Sequence, residues 1–259
     1  MTKTGALILS ALLSAGLAAV AQSPIDGTWK TNMAQTKFSP KPNVFYLSQG
    51  WYHCVSCNPT YDAKADGTDQ SVTGQIYDTV VVKEADPNTI AVTTKKGGKV
   101  VSEQTRTVSA DGKTLTVRTI AHPMNSDQTV TATATGKRTG VKPSGVHGTS
   151  GEWQIVKVEQ SENGLTTTYK MSGDELTMSQ PTGETFTAKL DGTEAPVKGA
   201  YGYDAVSLKK INDHTIEETQ KRNGNVVVVN TMTVGGKTMK VTSENKVTGR
   251  TNTYTATKQ

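Results

Sequence analysis

Three residues close together in the sequence have side chains that support redox or metal chemistry. His53, Cys54 and Cys57 lie within residues 51–59, and these two cysteines are the only ones in the chain. The group has three interpretations: a structural disulfide across a turn, a redox-active pair, or a metal site. A redox pair usually begins a helix, which no pattern predicts here, and a metal site lacks an evident fourth ligand. The sequence therefore favours a disulfide between Cys54 and Cys57, with no metal site.

A second group of polar residues falls where the strand pattern points side chains inward. In the predicted strand at residues 100–108, Gln104 and Arg106 share the phase of the apolar residues at its ends, and Glu218 shares the phase of Ile216. An arginine inside a barrel needs an acidic partner, which the acidic group of a ligand would supply. A shift of one residue in register would instead place these side chains in solvent. Arg106, Gln104 and Glu218 are thus candidate ligand-binding residues, with surface charges as the alternative.

The remaining residue patterns predict no reaction. His122, His147 and His214 lie in predicted loops without a neighbouring nucleophile, so the sequence supports no catalytic triad. The Asp-Gly pairs at 66–67 and 191–192 are explained by hairpin turns, and they lack the ligand spacing of a calcium loop. We expect a protein that is not an enzyme and has no cofactor.

All of these residues lie on a duplicated module. Residues 63–74 are matched position for position by residues 188–199, and each copy opens on a Gly-x-Trp sequence that contains Trp29 or Trp153. A tryptophan on the first strand of a small barrel buries a large apolar face across one end. We expect Trp29 and Trp153 to close their barrels, with stacking on a ligand as the alternative role.

Within each copy, the chain alternates short strands with tight turns. Gly-Gly, Asp-Gly and Asn-Gly pairs at 97–98, 111–112, 223–224 and 235–236 supply the positive φ that two-residue hairpin turns require. No window keeps an apolar period of 3.6 residues long enough for a substantial helix after the N-terminal segment. Closing such a meander into a barrel removes its exposed edges. The predicted fold is all-β, with two tandem antiparallel meander β-barrels.

The N-terminal segment has the order of features found in a secretory signal. Lys3 precedes an apolar run at residues 6–20, and Ala19-Val20-Ala21 provides an A-x-A site, so we expect cleavage after Ala21. A membrane anchor is the alternative, although the run is short for a span. No later run is long enough to cross a bilayer as a helix. The mature protein is expected to be secreted or periplasmic.

The repeat and the composition together predict the domain boundaries. A signal peptide at 1–21 is followed by a first barrel at 22–137, a Gly- and Pro-containing linker at 138–148, and a second barrel at 149–259. The chain has 28 Lys and Arg against 23 Asp and Glu, and these charges are spread along strands. A nucleic-acid groove needs a contiguous basic stripe, so no nucleic-acid partner is predicted.

The doubled pattern also resembles a known family. From residue 27 to residue 258, the chain is similar to secreted bacterial proteins with tandem lipocalin-like, or calycin-type, repeats. The shared elements are G-T-W-K, K-F, A-K-A-D-G and D-G-K-T, which lie at residues 27–30, 37–38, 63–67 and 111–114. The resemblance implies a calycin-type barrel and export, and it implies no known reaction.

Two functions are compatible with these predictions. The first is an exported binding protein that holds a small, partly apolar or acidic ligand, since meander barrels of about eight strands have just enough room for one. The second is a structural or interaction protein of the cell envelope whose barrels are filled by their own side chains. A cavity of at least roughly 300 Å³ in either barrel favours the first.

Overall fold

A computed structural model describes residues 23–200 and 202–259. The predicted signal peptide and its cleavage site after Ala21 lie outside the described residues. The described part of the chain contains 20 strands and one short 3-10 turn, Glu162–Gly164. No helix in these two ranges is long and apolar enough to cross a membrane. The all-β prediction is confirmed.

The strands divide evenly between the two halves of the chain. The first half contains β1 (Gly27–Lys37), β2 (Asn43–Ser48), β3 (Trp51–Cys54), β4 (Tyr61–Lys64), β5 (Gln70–Ser71), β6 (Thr79–Asp86), β7 (Thr89–Lys96), β8 (Lys99–Val108), β9 (Thr114–Ala121) and β10 (Val130–Arg138). The second half contains β11 (Gly151–Gln160), β12 (Thr166–Ser172), β13 (Glu175–Ser179), β14 (Thr185–Lys189), β15 (Asp191–Pro196), β16 (Ala205–Asn212), β17 (Thr215–Arg222), β18 (Asn225–Gly235), β19 (Thr238–Asn245) and β20 (Arg250–Lys258).

These strands form two antiparallel sheets of ten strands each, and each sheet curls into a nearly closed barrel. The N-barrel has the order β4-β3-β2-β11-β10-β9-β8-β7-β6-β5, and the C-barrel has the order β14-β13-β12-β1-β20-β19-β18-β17-β16-β15. Thr185 and Lys198 exchange two backbone hydrogen bonds of 2.9 Å where the ends of the C-barrel meet. A bridge between Asp66 and Lys83 brings the ends of the N-barrel together. The prediction of two meander barrels is confirmed.

The barrels do not follow the predicted boundaries 22–137 and 149–259, because the two repeats exchange their first strands. Strand β1 lies between β12 and β20 in the C-barrel, with Trp29 opposite Thr167 and Lys258. Strand β11 lies between β2 and β10 in the N-barrel, with Trp153 opposite Asn43 and Arg138. Each barrel is therefore completed by the opening strand of the other repeat.

The connection after β1 explains why the strand does not return to its own repeat. Residues 38–42 contain Pro40 and Pro42, and a proline holds the residue before it in an extended conformation. Two such restrictions in succession oppose the tight reversal that would pair β1 with β2. Once β1 has left, only an equivalent strand completes the N-barrel, and β11 occupies that position.

The Gly-x-Trp sequences have a steric basis in both barrels. Gly27 and Gly151 have φ values of 121° and 134°, which side chains rarely tolerate. A Cβ atom on Gly27 would lie 2.6 Å from the Cε atom of Lys258, and one on Gly151 would overlap the guanidinium of Arg138. In each barrel, the basic side chain from the final strand of one repeat (Lys258 or Arg138) therefore lies directly over the glycine of the first strand of the other repeat.

The two tryptophans close the barrel ends beneath these basic groups. Trp29 and Trp153 are 1% and 0% exposed. Their Nε1 atoms donate to the backbone oxygens of Ile25 and Thr149 at 2.7 and 2.8 Å, so the buried indole N–H is satisfied in each case. The guanidinium of Arg138 lies 4.0 Å from the centroid of the Trp153 ring. Trp29 packs in the core of the C-barrel and Trp153 in that of the N-barrel.

Because the first strands are exchanged, each tryptophan should stabilise the barrel built mainly from the other half of the chain. We expect Trp29→Ala to lower the free energy of unfolding by about 3–5 kcal/mol and to speed amide hydrogen exchange in β12–β20. Trp153→Ala should instead speed exchange in β2–β10. Trp51→Ala is the control, since that side chain is 42% exposed. Faster exchange confined to the repeat that contains the substitution would contradict the exchanged topology.

Candidate functional site

A cavity of about 590 Å³ occupies the N-barrel and opens toward the C-barrel. Its inner wall is formed by side chains from β2, β3, β8, β9, β10 and β11. Its outer part is formed by residues at the facing end of the C-barrel. The inner lining consists of Phe45, Tyr52, Gln104, Arg106, Leu115, Val117, Thr119, Ala134, Trp153 and Ile155. The C-barrel contributes Gly202, Tyr203, Gln220, Arg222, Val227, Val228, Asn245, Val247 and Thr248.

Arg106 is the polar centre of the inner wall. Its Nη1 atom donates to the hydroxyl of Tyr52 at 2.8 Å, and its Nε and Nη2 atoms donate to Oε1 of Gln104 at 3.1 and 2.8 Å. Its guanidinium lies 4.8 Å from the ring centroid of Phe45. None of the carboxylates in residues 23–200 and 202–259 forms an ion pair with it. These neutral contacts orient the cation without neutralising it.

Aromatic rings form a continuous wall next to Arg106. The ring centroids of Phe45 and Tyr52 lie 5.8 Å apart, and Tyr61 lies 6.3 Å from both Tyr52 and Tyr77. The hydroxyls of Tyr61 and Tyr77 are hydrogen-bonded at 2.9 Å. Burial raises the pKa of Tyr61, so this wall remains uncharged. The rings are inclined to one another by 34° to 86°, and together they provide an apolar surface of the kind that small-molecule sites use.

The predicted disulfide between Cys54 and Cys57 is confirmed, and it lies at the rim of the cavity. The turn that it closes is anchored by Ser56, whose hydroxyl accepts a hydrogen bond from the amide of Val44 at 3.0 Å. His53 points to the other side of the sheet, where its Nδ1 atom lies 2.7 Å from a carboxylate oxygen of Asp62. In the described part of the chain, no cluster of His, Cys, Asp or Glu is suited to hold a metal ion.

The C-barrel has the same scaffold with a filled interior. In the N-barrel, a cross-strand row runs through Arg106, Val117 and Ala134. The matching row of the C-barrel runs through Met232, Val241 and Tyr254. Met232 and Val241 belong to the buried core of the C-barrel, and Tyr254 packs against that core. A methionine and a tyrosine thus occupy the volume that an arginine and an alanine leave open in the N-barrel.

Glu218 lies inside the C-barrel and is 4% exposed. It accepts hydrogen bonds from Gln220 at 2.8 Å and from Asn230 at 3.0 Å. Burial raises its pKa, an effect that these two hydrogen bonds oppose and nearby Glu184 reinforces. Burial likewise raises the pKa of Glu184, which accepts a hydrogen bond from the hydroxyl of Tyr203. Both carboxyl groups are therefore biased toward their neutral forms.

The structure separates the candidate binding residues into two groups. Arg106, Gln104 and Trp153 line the cavity, whereas Glu218 and Trp29 lie in the C-barrel and do not reach it. Sequence reasoning missed Tyr52, although its alternation with Cys54 on one strand placed both on the same face. It also missed the residues from the C-barrel, because no local pattern indicates which end of one barrel faces the other.

Comparison with known proteins yields no match: no family model fits the chain, and no curated protein or solved structure is significantly similar to it. The geometry of the cavity is therefore the basis for inferring function.

The burial of Glu218 predicts how stability depends on pH. Because the folded-state pKa is raised above the ordinary value of 4.5, its stabilising effect is complete below that value and is lost as the pH rises through the folded-state pKa. Glu218→Gln keeps the two accepted hydrogen bonds and removes the ionisation. In urea unfolding, we expect the variant to gain stability relative to the wild type over the pH range that begins at about 4.5 and extends upward.

Glu217→Gln is the control for this measurement, since Glu217 is the preceding residue of β17 and its side chain points to the opposite face of the sheet. Its stability relative to the wild type should change little with pH. If the free energies of unfolding of Glu218→Gln and the wild type differ by the same amount at every pH in that range, the pKa of Glu218 is not raised by folding.

Proposed function

We propose that this protein is an exported, non-enzymatic binding protein whose N-barrel holds a small, partly apolar molecule through an acidic group. The observation that carries the proposal is the side chain of Arg106, which lies in an aromatic cavity without a carboxylate partner among the described residues. A cation in such surroundings is stabilised by an anion that enters from solution.

The number of unused N–H donors on Arg106 supports a carboxylate as that anion. A guanidinium has five N–H donors, and three contacts, to Tyr52 and Gln104, use one each on Nε, Nη1 and Nη2. One donor therefore remains on each terminal nitrogen. Two donors of one guanidinium match the two oxygens of a carboxylate, and such charge-assisted pairs are among the stronger hydrogen bonds in proteins.

The size and lining of the cavity support a compact apolar body for the ligand. Ligand pockets usually measure about 300–1,000 Å³ and place a few polar groups among apolar walls. The cavity, at about 590 Å³, falls within this range, with Phe45, Leu115 and Trp153 on the inner wall. The C-barrel contributes to the wall of this cavity, while its own interior is packed with side chains.

Export is supported by two features of the chain. The N-terminal sequence has a basic residue, an apolar run and an Ala19-Val20-Ala21 site, in the order that secretion signals use. The disulfide between Cys54 and Cys57 is a bond that persists mainly in oxidising compartments. Both features fit a periplasmic or secreted protein.

A comparison of an acid with its alcohol tests the role of Arg106. Isothermal titration calorimetry should show that decanoate binds to the purified protein more tightly than decanol. Arg106→Met introduces the residue type of the equivalent Met232 and should weaken decanoate binding by about 10- to 100-fold, because a charge-assisted pair is lost. Decanol binding should change little.

Arg118→Met is the matched control, since Arg118 lies on the adjacent strand β9 and is exposed. It removes the same charge from the protein without altering the cavity and should bind decanoate like the wild type. An Arg106→Met variant that keeps full preference for the acid would contradict the proposal.

A second substitution tests whether the cavity itself holds the ligand. Ala134→Tyr places the residue type of Tyr254 on the inner wall and should fill the space beside Arg106. We expect decanoate binding to fall below detection while the melting temperature stays the same or rises. Thr133→Tyr, at the preceding position with its side chain on the opposite face, should bind normally. Undiminished binding by Ala134→Tyr would place the ligand elsewhere.

A further inference from the structure

The cavity contains a second arginine, contributed by the other barrel. Arg222 ends β17 of the C-barrel and lines the outer part of the same cavity that holds Arg106. The other described lining residues are uncharged at neutral pH, and none is an aspartate or glutamate. The lining therefore carries two positive charges and no negative one.

The alternation of side chains along β17 explains why Arg222 faces the cavity. Glu218, Gln220 and Arg222 occupy alternate positions on β17, so their side chains share one face of the sheet. Glu218 is buried inside the C-barrel, Gln220 lies nearer the mouth, and Arg222 lies at the strand end. The inner face of the C-barrel thus changes from a buried carboxyl to an accessible cation at the cavity.

No described group neutralises Arg222. It forms no ion pair with a carboxylate in residues 23–200 and 202–259. Glu218, the nearest acid along the inner face of its strand, accepts its hydrogen bonds from Gln220 and Asn230 instead. Two cations facing one cavity attract anions and raise the local concentration of an anionic ligand.

Polar amides accompany each arginine. Gln104 lies beside Arg106, while Gln220 and Asn245 lie on the part of the wall that Arg222 shares. The cavity lining also includes apolar side chains from both barrels, among them Val117, Val227 and Val228. The cavity thus combines one cationic group from each barrel with apolar walls.

We infer that the ligand is dianionic, with one acidic group held by Arg106 in the N-barrel and a second, at the far end of an apolar spacer, held by Arg222 in the C-barrel. This inference rests on the proposed binding function and specifies its ligand class. An α,ω-dicarboxylate is the simplest molecule with this chemistry. Such a ligand would contact both barrels at once.

The test compares linear dicarboxylates with monocarboxylates of the same chain length by isothermal titration calorimetry. The wild-type protein should bind the best-fitting dicarboxylate about tenfold or more tightly than its monocarboxylate partner, with an optimum in chain length. Arg222→Gln should remove this advantage, so that the loss of dicarboxylate affinity is about tenfold or more greater than any loss of monocarboxylate affinity. Lys240→Gln, an exposed position on β19, is the charge-matched control and should retain the advantage.

The outcomes separate this inference from the function on which it rests. If monocarboxylates bind in an Arg106-dependent manner but dicarboxylates bind no tighter, the second anionic site is wrong and the binding function stands. The same conclusion follows if Arg222→Gln leaves the dicarboxylate advantage intact. If neither class of acid binds, both proposals are overturned.

Discussion

The rest of the structure depends on the packing of each Gly-x-Trp strand in the barrel of the other repeat. Trp153 closes the N-barrel from a strand that continues directly into the C-barrel, and Trp29 does the reverse. A fully buried indole is too large to leave its place without a major loss of packing. Each barrel therefore depends on the other for a complete core. The exchange also holds the open end of the N-barrel against the C-barrel, so that one cavity has walls from both.

The two barrels show how few residues convert a filled core into a cavity. One cross-strand row carries Arg106 and Ala134 in the N-barrel and Met232 and Tyr254 in the C-barrel. The larger tyrosine and the neutral methionine remove both the space and the charge. Burial raises the pKa of Tyr254 to about 12, so its hydroxyl stays neutral inside that core. The C-barrel supplies the outer part of the wall of the N-barrel cavity.

The sequence predicted the features that local patterns determine. Glycine-containing turns fixed the hairpins, period-two alternation predicted the inward positions of Arg106 and Glu218, and the spacing of Cys54 and Cys57 indicated the disulfide. The strand exchange was not predicted, because β1 and β11 share the Gly-x-Trp pattern, and that pattern does not specify which barrel each strand joins. The cavity could not be predicted from the sequence either, because its volume depends on the combined sizes of side chains on facing strands. The contribution of Arg222 required knowing which barrel ends meet.

Engineered disulfides provide the most direct test of the strand exchange. Lys30 lies opposite Thr257 in the exchanged pairing, whereas Lys137 occupies the place equivalent to Thr257 in the first repeat. Paired residues on neighbouring antiparallel strands lie within disulfide distance. Peptide mapping of the monomer should detect a cross-link in the Lys30→Cys and Thr257→Cys variant and none in the Lys30→Cys and Lys137→Cys variant. The opposite result would show that each repeat keeps its own first strand and would contradict the account.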